Sequence, residues 1–387
     1  MQILFVSSGL RGNSSDFSGS VARFIALAKH WADQGHEIHL LSSSGGETLC
    51  HNFGLSVKPH VLSSMSVSGR IYYPLVALSS FFLPLPRSLE EFKSGIIYCV
   101  SEQVYDVVPA LRLKMQRENR VKWVVAVHWL PPFPPWKREA STVLNSSLFF
   151  LSERAGVFLA DKFADVLLPV SLSTAEDLRK TSRYPSKIFP VACGVEFGAI
   201  QEYVKEARRK QYDAVFMKRL QSVKGLFDLI DIWSEVVKYK QDAMLAVIGD
   251  GPDGERARQI VASRGLEKNI KFLGEVYDLK QKFTLLAESS LFLLPSYEEN
   301  WAIVIGEAMA AGVPVIAYGL KELIDIWGDN FIQIPVGDKV AFAKKIIDLI
   351  DKPTALNEIS HKAREFVKKY DWQVIAEREL RIILGEI

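Results

Sequence analysis

Short apolar runs of strand length alternate with amphipathic segments along the first half of the chain. The runs ILFVSS, EIHLLS, IIYCVS, KWVVAVH and DVLLPVS predict strands at 3–8, 37–42, 96–101, 122–128 and 165–171. Residues 20–34 carry the spacing of a helix that buries one face, and Gly35 supplies its stop. The pattern therefore predicts a strand, a turn and a helix in repeated order.

The same order restarts after about residue 195. The apolar runs predict further strands at 213–220, 244–251, 270–276, 291–296 and 314–319. Helical spacing lies between them, at 225–239, 253–264, 278–288 and 302–312, and again at 372–383. The two halves of the chain therefore carry similar α/β patterns.

Strands that alternate with helices pair in parallel, and their sheets carry helices on both faces. A chain of 387 residues suits two such domains of roughly 150–200 residues each. We predict an α/β protein with two Rossmann-like, doubly wound parallel-sheet domains, 1–190 and 195–370, that face each other across a cleft. The closing segment 372–387 is predicted to be helical, with the first domain as a candidate packing surface.

Composition limits the function classes. The chain is 48% hydrophobic and 24% charged, which excludes disordered and collagen-like proteins. Its 47 basic and 45 acidic side chains leave a net charge of +2, which argues against a nucleic-acid binder. Residues 1–190 carry 20 basic and 15 acidic side chains, whereas 191–387 carry 27 and 30. An anionic surface would therefore be met by the first half.

The cysteines favour a reducing compartment. Cys50, Cys99 and Cys193 are odd in number, far apart and without C-x-x-C spacing, so a disulfide framework or zinc site is not expected. The chain opens on a strand-sized apolar run rather than a signal peptide. The apolar stretch 71–86 is shorter than the roughly 20 residues of a membrane span and is broken by prolines. We predict a cytoplasmic protein.

Candidate chemistry lies at the strand ends, where open parallel sheets bind ligands. After the strand at 213–220, Arg219 and Lys224 surround a turn that opens a helix at Gly225. Two cations beside free helix N–H groups suit a diphosphate, although two solvated loop cations would give the same pattern. The chain has no Walker A, H-E-x-x-H or Ser/His/Asp pattern, so no metal or cofactor is predicted.

Two glutamates mark the segment EENWAIVIGE at 298–307. On one helix, Glu299 and Glu307 would lie about 80° apart and roughly 12 Å along the axis. Glu307 stands in an apolar, buried helix, and a buried carboxylate needs hydrogen-bond donors. Either a structural salt bridge or the vicinal hydroxyls of a ligand would supply them.

The first half has two weaker candidates. Ser18-Gly19-Ser20 precedes a helix, where Gly19 permits close backbone approach and Ser20 could cap the helix or donate to a phosphate. His128 ends a strand at the presumed cleft. A structural histidine with satisfied hydrogen bonds is the alternative for His128.

These motifs, in this order, resemble the retaining nucleotide-sugar glycosyltransferases of family 4, which have the GT-B fold. The resemblance spans nearly the whole chain and is most specific in PSYEENWAIVIGEAMAAGVPVIA. The matching segments are 19–42, 191–196, 217–230, 246–252, 295–317 and Trp372.

Carried over residue by residue, the resemblance implies a catalytic set of Arg219, Lys224, Glu299 and His128 and no metal. Arg219 and Lys224 would neutralise the donor diphosphate and the charge of the leaving group. Glu307 would hold the ribose hydroxyls, and His128 would contact the sugar near the reacting carbon.

The remaining implied contacts concern the donor. Glu299 and the backbone N–H groups of Asn300, Trp301 and Ala302 would hold the sugar. Gly19 and Ser20 would lie near the phosphates, and the segment Gly274 to Val276 would lie beside the base. In this family the transfer retains the anomeric configuration by front-face attack, usually without metal.

Some positions depart from the family pattern. Paired glycines are usual where this chain has Ser18-Gly19-Ser20, and Phe and Gly are usual at Trp301 and Ala302. The methyl group of Ala302 would narrow the range of donor sugars. Cys193 replaces the usual Asn of the linker and is interpreted as a buried small residue.

The resemblance predicts transfer of a hexose from a UDP- or GDP-sugar to a hydroxyl of a glycan or lipid-linked saccharide. Aromatic residues and cations in 70–93 suit peripheral contact with an anionic membrane on its inner face, although the segment would equally cover the core of the first domain. Liposome flotation with and without anionic lipid separates these two interpretations.

Three alternatives keep the fold. A nucleotide-sugar epimerase would convert the donor without an acceptor, which NMR of the donor alone detects. A phosphorylase would be expected to have a pyridoxal-phosphate lysine and a longer chain. A degenerate donor-binding subunit would bind nucleotide without turnover, and the four charged residues Arg219, Lys224, Glu299 and Glu307 argue against it.

Overall fold

The chain forms two compact units in this computed structural model. The structure describes residues 1–8, 10, 19–62, 79–82, 84–128, 130, 143–205 and 210–387. The first unit comprises Met1–Cys193 together with Trp372–Ile387, and the second comprises Gly194–Asp371. The closing segment therefore belongs to the first unit.

The first unit is built on a six-stranded parallel sheet in the order β3-β2-β1-β4-β5-β6. Its strands are β1 (Gln2–Ser7), β2 (Glu37–Ser42), β3 (Lys58–Val61), β4 (Gly95–Cys99), β5 (Val121–Val127) and β6 (Val166–Pro169). In β5 every residue except Lys122 is buried, because helices cover both faces of the sheet. The chain order reverses between β1 and β4.

Five helices connect these strands within the described residues. They are α1 (Gly19–Asp33), α2 (Gly46–Asn52), α3 (Val104–Arg117), α4 (Val143–Phe163) and α5 (Leu172–Thr181). Helix α5 begins at a cap that its sequence predicts, since the Ser171 hydroxyl accepts a hydrogen bond from the backbone N–H of Thr174. The core between sheet and helices includes Trp123 and Phe92, both fully buried.

The second unit repeats this topology, with the order β12-β11-β10-β7-β8-β9. Its strands are β7 (Tyr212–Met217), β8 (Leu245–Ile248), β9 (Ile270–Gly274), β10 (Ser289–Leu294), β11 (Val315–Tyr318) and β12 (Ile332–Ile334). All the pairs are parallel. The chain runs from β7 outward to β9 and then returns to β10 on the other side of β7, so the order reverses between β7 and β10.

The helices of the second unit pack on both faces of this sheet. They are α6 (Phe197–Val204), α7 (Leu226–Tyr239), α8 (Gly254–Ser263), α9 (Leu279–Ala287), α10 (Ile303–Ala310), α11 (Lys321–Trp327), α12 (Lys339–Ile350) and α13 (Pro353–Val367). Helix α7 buries Leu226, Leu229, Ile230, Trp233 and Val236, the three- and four-residue spacing of an amphipathic helix.

The last helix, α14 (Trp372–Leu384), packs on α1 of the first unit through a buried polar cluster. The Arg23 guanidinium pairs with the Glu379 carboxylate, and both side chains are only 1% exposed. The Tyr98 hydroxyl accepts from Arg23 and donates to Glu379, each at 2.6 Å. The indole N–H of Trp31 donates to the carbonyl of Ala376 at 3.0 Å. The ends of the chain thus share one hydrogen-bonded core.

A chain of side-chain hydrogen bonds joins β2 and β3 at the edge of the first sheet. The Ser88 hydroxyl lies 2.9 Å from Nδ1 of His60, and Nε2 of His60 lies 2.8 Å from Nδ1 of His39. The Nε2 atom of His39 lies 3.3 Å from the Glu37 carboxylate. Both rings are buried, and this chain of donors and acceptors is complete only when both are neutral.

This histidine pair predicts acid-sensitive stability. Burial and the neighbouring His39 lower the pKa of His60 to about 4, and burial lowers the pKa of His39, with Glu37, Lys58 and Glu91 as the facing charges. Because the folded pKa lies below the unfolded value of about 6.5, the stabilisation is complete above that pH and is lost as pH falls towards about 4.

The expected result is a pH-dependent difference between the wild-type protein and His60→Gln. In urea unfolding, the stability advantage of the wild-type protein should shrink by roughly 1–3 kcal/mol between pH 7.5 and 4.5. His51→Gln, at an exposed position, serves as the control. An advantage that is equal at both pH values contradicts the assignment.

Two predictions about compartment meet the structure here. Cys50, Cys99 and Cys193 are free and buried. No helix in the described part of the chain has both the length and the apolar character needed to cross a bilayer. Residues 70–78 and 83 of the proposed membrane segment lie outside the described residues, so its membrane contact stays a prediction.

Candidate active site

The candidate site lies where the strand order of the second unit reverses, at the carboxyl ends of β7 and β10. Loops diverge at such a point and leave room for a ligand. Here two loops touch: the backbone N–H of Tyr297 donates to the carbonyl of Val223 at 3.0 Å. A side chain at Gly225, which has φ +75°, would collide with the carbonyl of Pro295. Gly225 therefore permits the close approach that brings Lys224 to the β10 loop.

Glu299 is the centre of this contact. One carboxylate oxygen, Oε2, lies 2.9 Å from Nζ of Lys218. The other oxygen, Oε1, lies 3.2 Å from Nζ of Lys224 and 3.0 Å from the Ser296 hydroxyl. Lys224 also donates to the carbonyl of Glu298 at 2.6 Å. Two ammonium groups and one hydroxyl therefore hold a carboxylate whose side chain is 5% exposed.

The protonation state of Glu299 follows from these neighbours. Burial raises the pKa of the carboxyl group, but the charges and hydrogen bonds of Lys218 and Lys224 outweigh burial. The pKa therefore lies below its ordinary value, and Glu299 is ionised at neutral pH. An ionised carboxylate suits the acceptance of hydroxyl hydrogen bonds.

The predicted helical arrangement of the two glutamates is wrong. Helix α10 begins at Ile303, so Glu299 lies on the preceding loop and only Glu307 lies on the helix. Between them Ala302 has the left-handed conformation, with φ 52° and ψ 63°, which breaks the helical path. For a residue with a Cβ this conformation costs about 1–2 kcal/mol, which explains why glycine is the natural residue here.

Glu307 has one satisfied oxygen and one that is not. Its Oε1 atom lies 2.7 Å from Nζ of Lys282 on α9. Its Oε2 atom is buried and has no hydrogen-bond partner among the described residues. A buried carboxylate oxygen without a donor is costly, by about 1–3 kcal/mol. The salt bridge and the ligand, which the sequence left as alternatives, are therefore compatible at this residue.

Arg219 differs from its neighbours. It is exposed, and within the described ranges no hydrogen bond or ion pair holds its guanidinium. Lys218, one position earlier, takes the contact with Glu299 instead. Arg219 can thus meet an anionic ligand without breaking a contact.

The strand ends on the β8 side complete this edge of the sheet. The backbone N–H of Gly249 donates to the carbonyl of Gly274 at 2.8 Å. A side chain at Gly249 would collide with the carbonyl of Lys218. The Gly-Asp-Gly loop therefore packs on the loop that carries the cations, and Gly274 and Val276 follow on the next strand end.

The residues between the glutamates fill different positions. The Trp301 side chain is buried and packs edge-on against Trp327 and Tyr370, with ring centroids 5.9 and 5.5 Å away. Its carbonyl accepts from the Trp327 indole at 3.1 Å. Asn300 is half-buried. The indole of Trp301 is thus part of the core, which leaves the backbone of this loop for a ligand.

Three predicted site residues lie in the first unit. His128 directly follows β5, and its Nε2 donates to the carbonyl of Val100 at 2.9 Å. Burial and the charge of Arg23 lower the pKa of His128 to about 4, so the ring is neutral at pH 7. Gly19 and Ser20 begin helix α1, and Ser18 lies outside the described residues.

Sequence reasoning missed Lys218 and Lys282. Lys218 stands beside Arg219 in the same loop, and Lys282 lies in a predicted helix with no motif around it. The signal that could have found them is the need of each buried carboxylate for a cation. The described residues hold no cluster of three or more histidines, cysteines or acidic residues that could bind a metal ion.

Family models match the chain in two parts. A model described as Glycosyltransferase Family 4 matches residues 17–198, and a model described as Glycosyl transferases group 1 matches residues 200–366. The chain belongs to glycosyltransferase family 4.

Curated relatives of this family 4 glycosyltransferase come from other bacteria. The chain is 30% identical to the phosphatidyl-myo-inositol mannosyltransferase of Mycobacterium leprae over 162 residues, 41% of the chain and 42% of the relative. It is 32% identical to the N-acetyl-alpha-D-glucosaminyl L-malate synthase of Bacillus anthracis over 156 residues, 40% of each protein. The chain thus matches less than half the length of these relatives.

Solved structures show the same fold. Anabaena HepE, in complex with UDP and glucose, matches with a TM-score of 0.73 and 21% identity over 100% of both chains. The sucrose-phosphate synthase of Thermosynechococcus elongatus matches with a TM-score of 0.73 and 15% identity, over 100% of this chain and 98% of that one. The prediction of the GT-B fold class, with two doubly wound parallel-sheet units, is confirmed.

Proposed function

We propose that this glycosyltransferase transfers a hexose from a UDP- or GDP-sugar to a hydroxyl of a glycan or lipid-linked saccharide, with retention and without a bound metal. The observation that carries the proposal is the cluster of Lys224, Glu299 and Ser296 where the strand order reverses, beside the solvent-facing Arg219. This arrangement offers cations to a diphosphate and a carboxylate to a sugar.

The chemistry follows from charge. As the bond to the donor sugar breaks, negative charge develops on the leaving diphosphate, and Arg219 and Lys224 would stabilise it. Glu299 is held at both oxygens, and Nε2–H of His128 is already donated to Val100. These contacts suit groups that bind and orient a sugar. They do not favour a covalent nucleophile, which supports front-face attack with assistance from the leaving phosphate.

The nucleotide would be recognised next to this cluster. The buried Oε2 of Glu307 would accept a ribose hydroxyl, while Lys282 keeps Oε1. The strand end from Gly274 to Val276 would lie beside the base. HepE, which shares the fold, was solved with UDP and glucose, which supports a UDP-sugar as the first donor to test.

Glu307→Gln tests the nucleotide site. We expect roughly 10-fold weaker binding of the matching nucleoside diphosphate, because the loss of a hydrogen bond to a charged group costs about 1.5–3 kcal/mol. Calorimetric titration with UDP, GDP and their 2′- and 3′-deoxy analogues measures this loss. The analogue that lacks the contacted hydroxyl should bind wild type and variant equally.

The exposed Glu358 on α13 provides the matched control, Glu358→Gln. Unchanged affinity of Glu307→Gln for every nucleotide would contradict the ribose contact. The thermal midpoint of each variant shows whether loss of the Lys282 pair has disturbed the fold.

A donor screen tests the proposed reaction as a whole. The protein is incubated with UDP- and GDP-hexoses, with and without saccharide acceptors, and followed by NMR. We expect release of nucleoside diphosphate and formation of an α-linked product from an α-linked donor. Epimer formation without acceptor would support the epimerase, and nucleotide binding without turnover would support a degenerate subunit.

The acceptor would be met by the first unit. The relative from Mycobacterium leprae is named for transfer to phosphatidyl-myo-inositol, which supports a lipid-linked acceptor. In the segment that carries the membrane prediction, Phe82 is 79% exposed and Phe81 is 50% exposed, while Leu89 and Phe92 are buried in the core. We include contact of this segment with the inner face of an anionic membrane in the proposal.

A further inference from the structure

Lys218 makes the contact for which sequence motifs provide no role. Its ammonium lies 2.9 Å from Oε2 of Glu299, and its side chain is only 16% exposed. Burying a lysine costs free energy unless a counter-charge compensates. Glu299 supplies that charge, so the pair is a built part of the candidate site rather than a surface contact.

The hydrogen bonds of Glu299 can be counted. A carboxylate offers about four acceptor positions, two on each oxygen. Lys224 and Ser296 occupy the two positions of Oε1, and Lys218 occupies one position of Oε2. One acceptor position on Oε2 is left for a donor group from outside the described residues.

The two lysines differ in what they can do when a donor binds. Lys224 follows the loop to the start of α7 and, under the proposed function, turns towards the diphosphate. A carboxylate that is 5% exposed would then lose one of its two counter-charges. Lys218 would remain as the counter-ion of Glu299.

We infer that Lys218 is a positioning residue of the donor site: it holds Glu299 so that a single acceptor position on Oε2 receives one hydroxyl of the donor sugar, while Lys224 serves the diphosphate. This inference rests on the proposed function and assigns the two lysines separate partners. It predicts that Lys218 affects recognition of the sugar and leaves recognition of the nucleotide intact.

The pH dependence provides a second, independent readout. The charged and polar groups that face Glu299 are Lys218 and Lys224 from the β7 loop and Ser296 from its own loop. Burial raises the pKa of Glu299, and the two lysines lower it by more. Loss of Lys218 would raise that pKa, so the acid limb of kcat/KM should move to higher pH.

The experiment compares Lys218→Met, Lys218→Arg and Lys224→Met in the full-length protein. For Lys218→Met we expect affinities for UDP and GDP within ~3-fold of wild type, a kcat/KM for the nucleotide sugar at least ~10-fold lower, and an acid limb about one pH unit higher. Lys218→Arg should restore most of both. Lys224→Met should lose nucleotide affinity, which separates the two lysines.

Other outcomes overturn the inference. If Lys218→Met loses nucleotide affinity as strongly as Lys224→Met, then Lys218 is a phosphate ligand. If its kcat/KM and acid limb match those of wild type, it has no positioning role, and if neither Lys218→Met nor Lys218→Gln folds, its role is structural. A wild-type protein that binds no nucleotide and turns over no nucleotide sugar refutes the proposed function itself, a result distinct from all of these.

Discussion

Lys224→Met is expected to lower turnover by at least ~100-fold, the loss typical of removing a group that stabilises transition-state charge. The Lys224 ammonium lies 3.2 Å from the Glu299 carboxylate and is 22% exposed, so it can reach both the sugar-binding carboxylate and an incoming diphosphate. Arg219→Met should lose a similar factor, because its guanidinium is exposed and available for the phosphates.

The measurement is steady-state turnover of the best donor from the screen, with Lys238→Met as the matched control. Lys238 lies on α7, is 64% exposed and pairs only with Glu235 in its own helix, so its loss should leave turnover unchanged. Near-normal turnover in both Lys224→Met and Arg219→Met would refute the assigned roles.

Glu379→Gln is expected to reduce the free energy of unfolding of the first unit by about 3–5 kcal/mol, the usual cost of breaking a buried ion pair. The Arg23 guanidinium would stay buried without its counter-charge, and the Tyr98 hydroxyl would lose a charged acceptor. Because Glu379 lies on α14 and Arg23 on α1, the contact between the two ends of the chain should weaken.

Urea unfolding followed by tryptophan fluorescence measures this loss, since Trp31 and Trp372 lie on the two helices concerned. The control is Glu377→Gln on the exposed face of the same helix. A loss no larger than that of the control would mean that the cluster contributes little to stability.

Much of the fold could be predicted because strands of a doubly wound sheet are short, apolar and separated by helices. The run EIHLLS coincides with β2, and KWVVAVH overlaps β5 and places His128 at its end. Two edge strands were not predicted. The segment KPHV of β3 contains a proline and is buried at a single residue, and β12 has only three residues. Edge strands lack the continuous apolar run of central strands.

The candidate site was predictable in residue type but not in pairing. Motif spacing indicates Lys224 and Glu299, yet the contact between Lys218 and Glu299 joins residues 81 positions apart. Nothing local in the sequence separates Lys218 from Arg219 as the partner of the carboxylate. The helical spacing of Glu299 and Glu307 also misled, because Ala302 leaves the helical conformation.

A crystal structure with bound UDP or GDP, whichever stabilises the protein more, tests the central claim most directly. We predict a diphosphate within hydrogen-bond distance of Lys224 and Arg219, with a ribose hydroxyl on Oε2 of Glu307. A nucleotide bound away from the carboxyl ends of β7 and β10, with Lys224 still paired only to Glu299 and Glu298, would contradict the account.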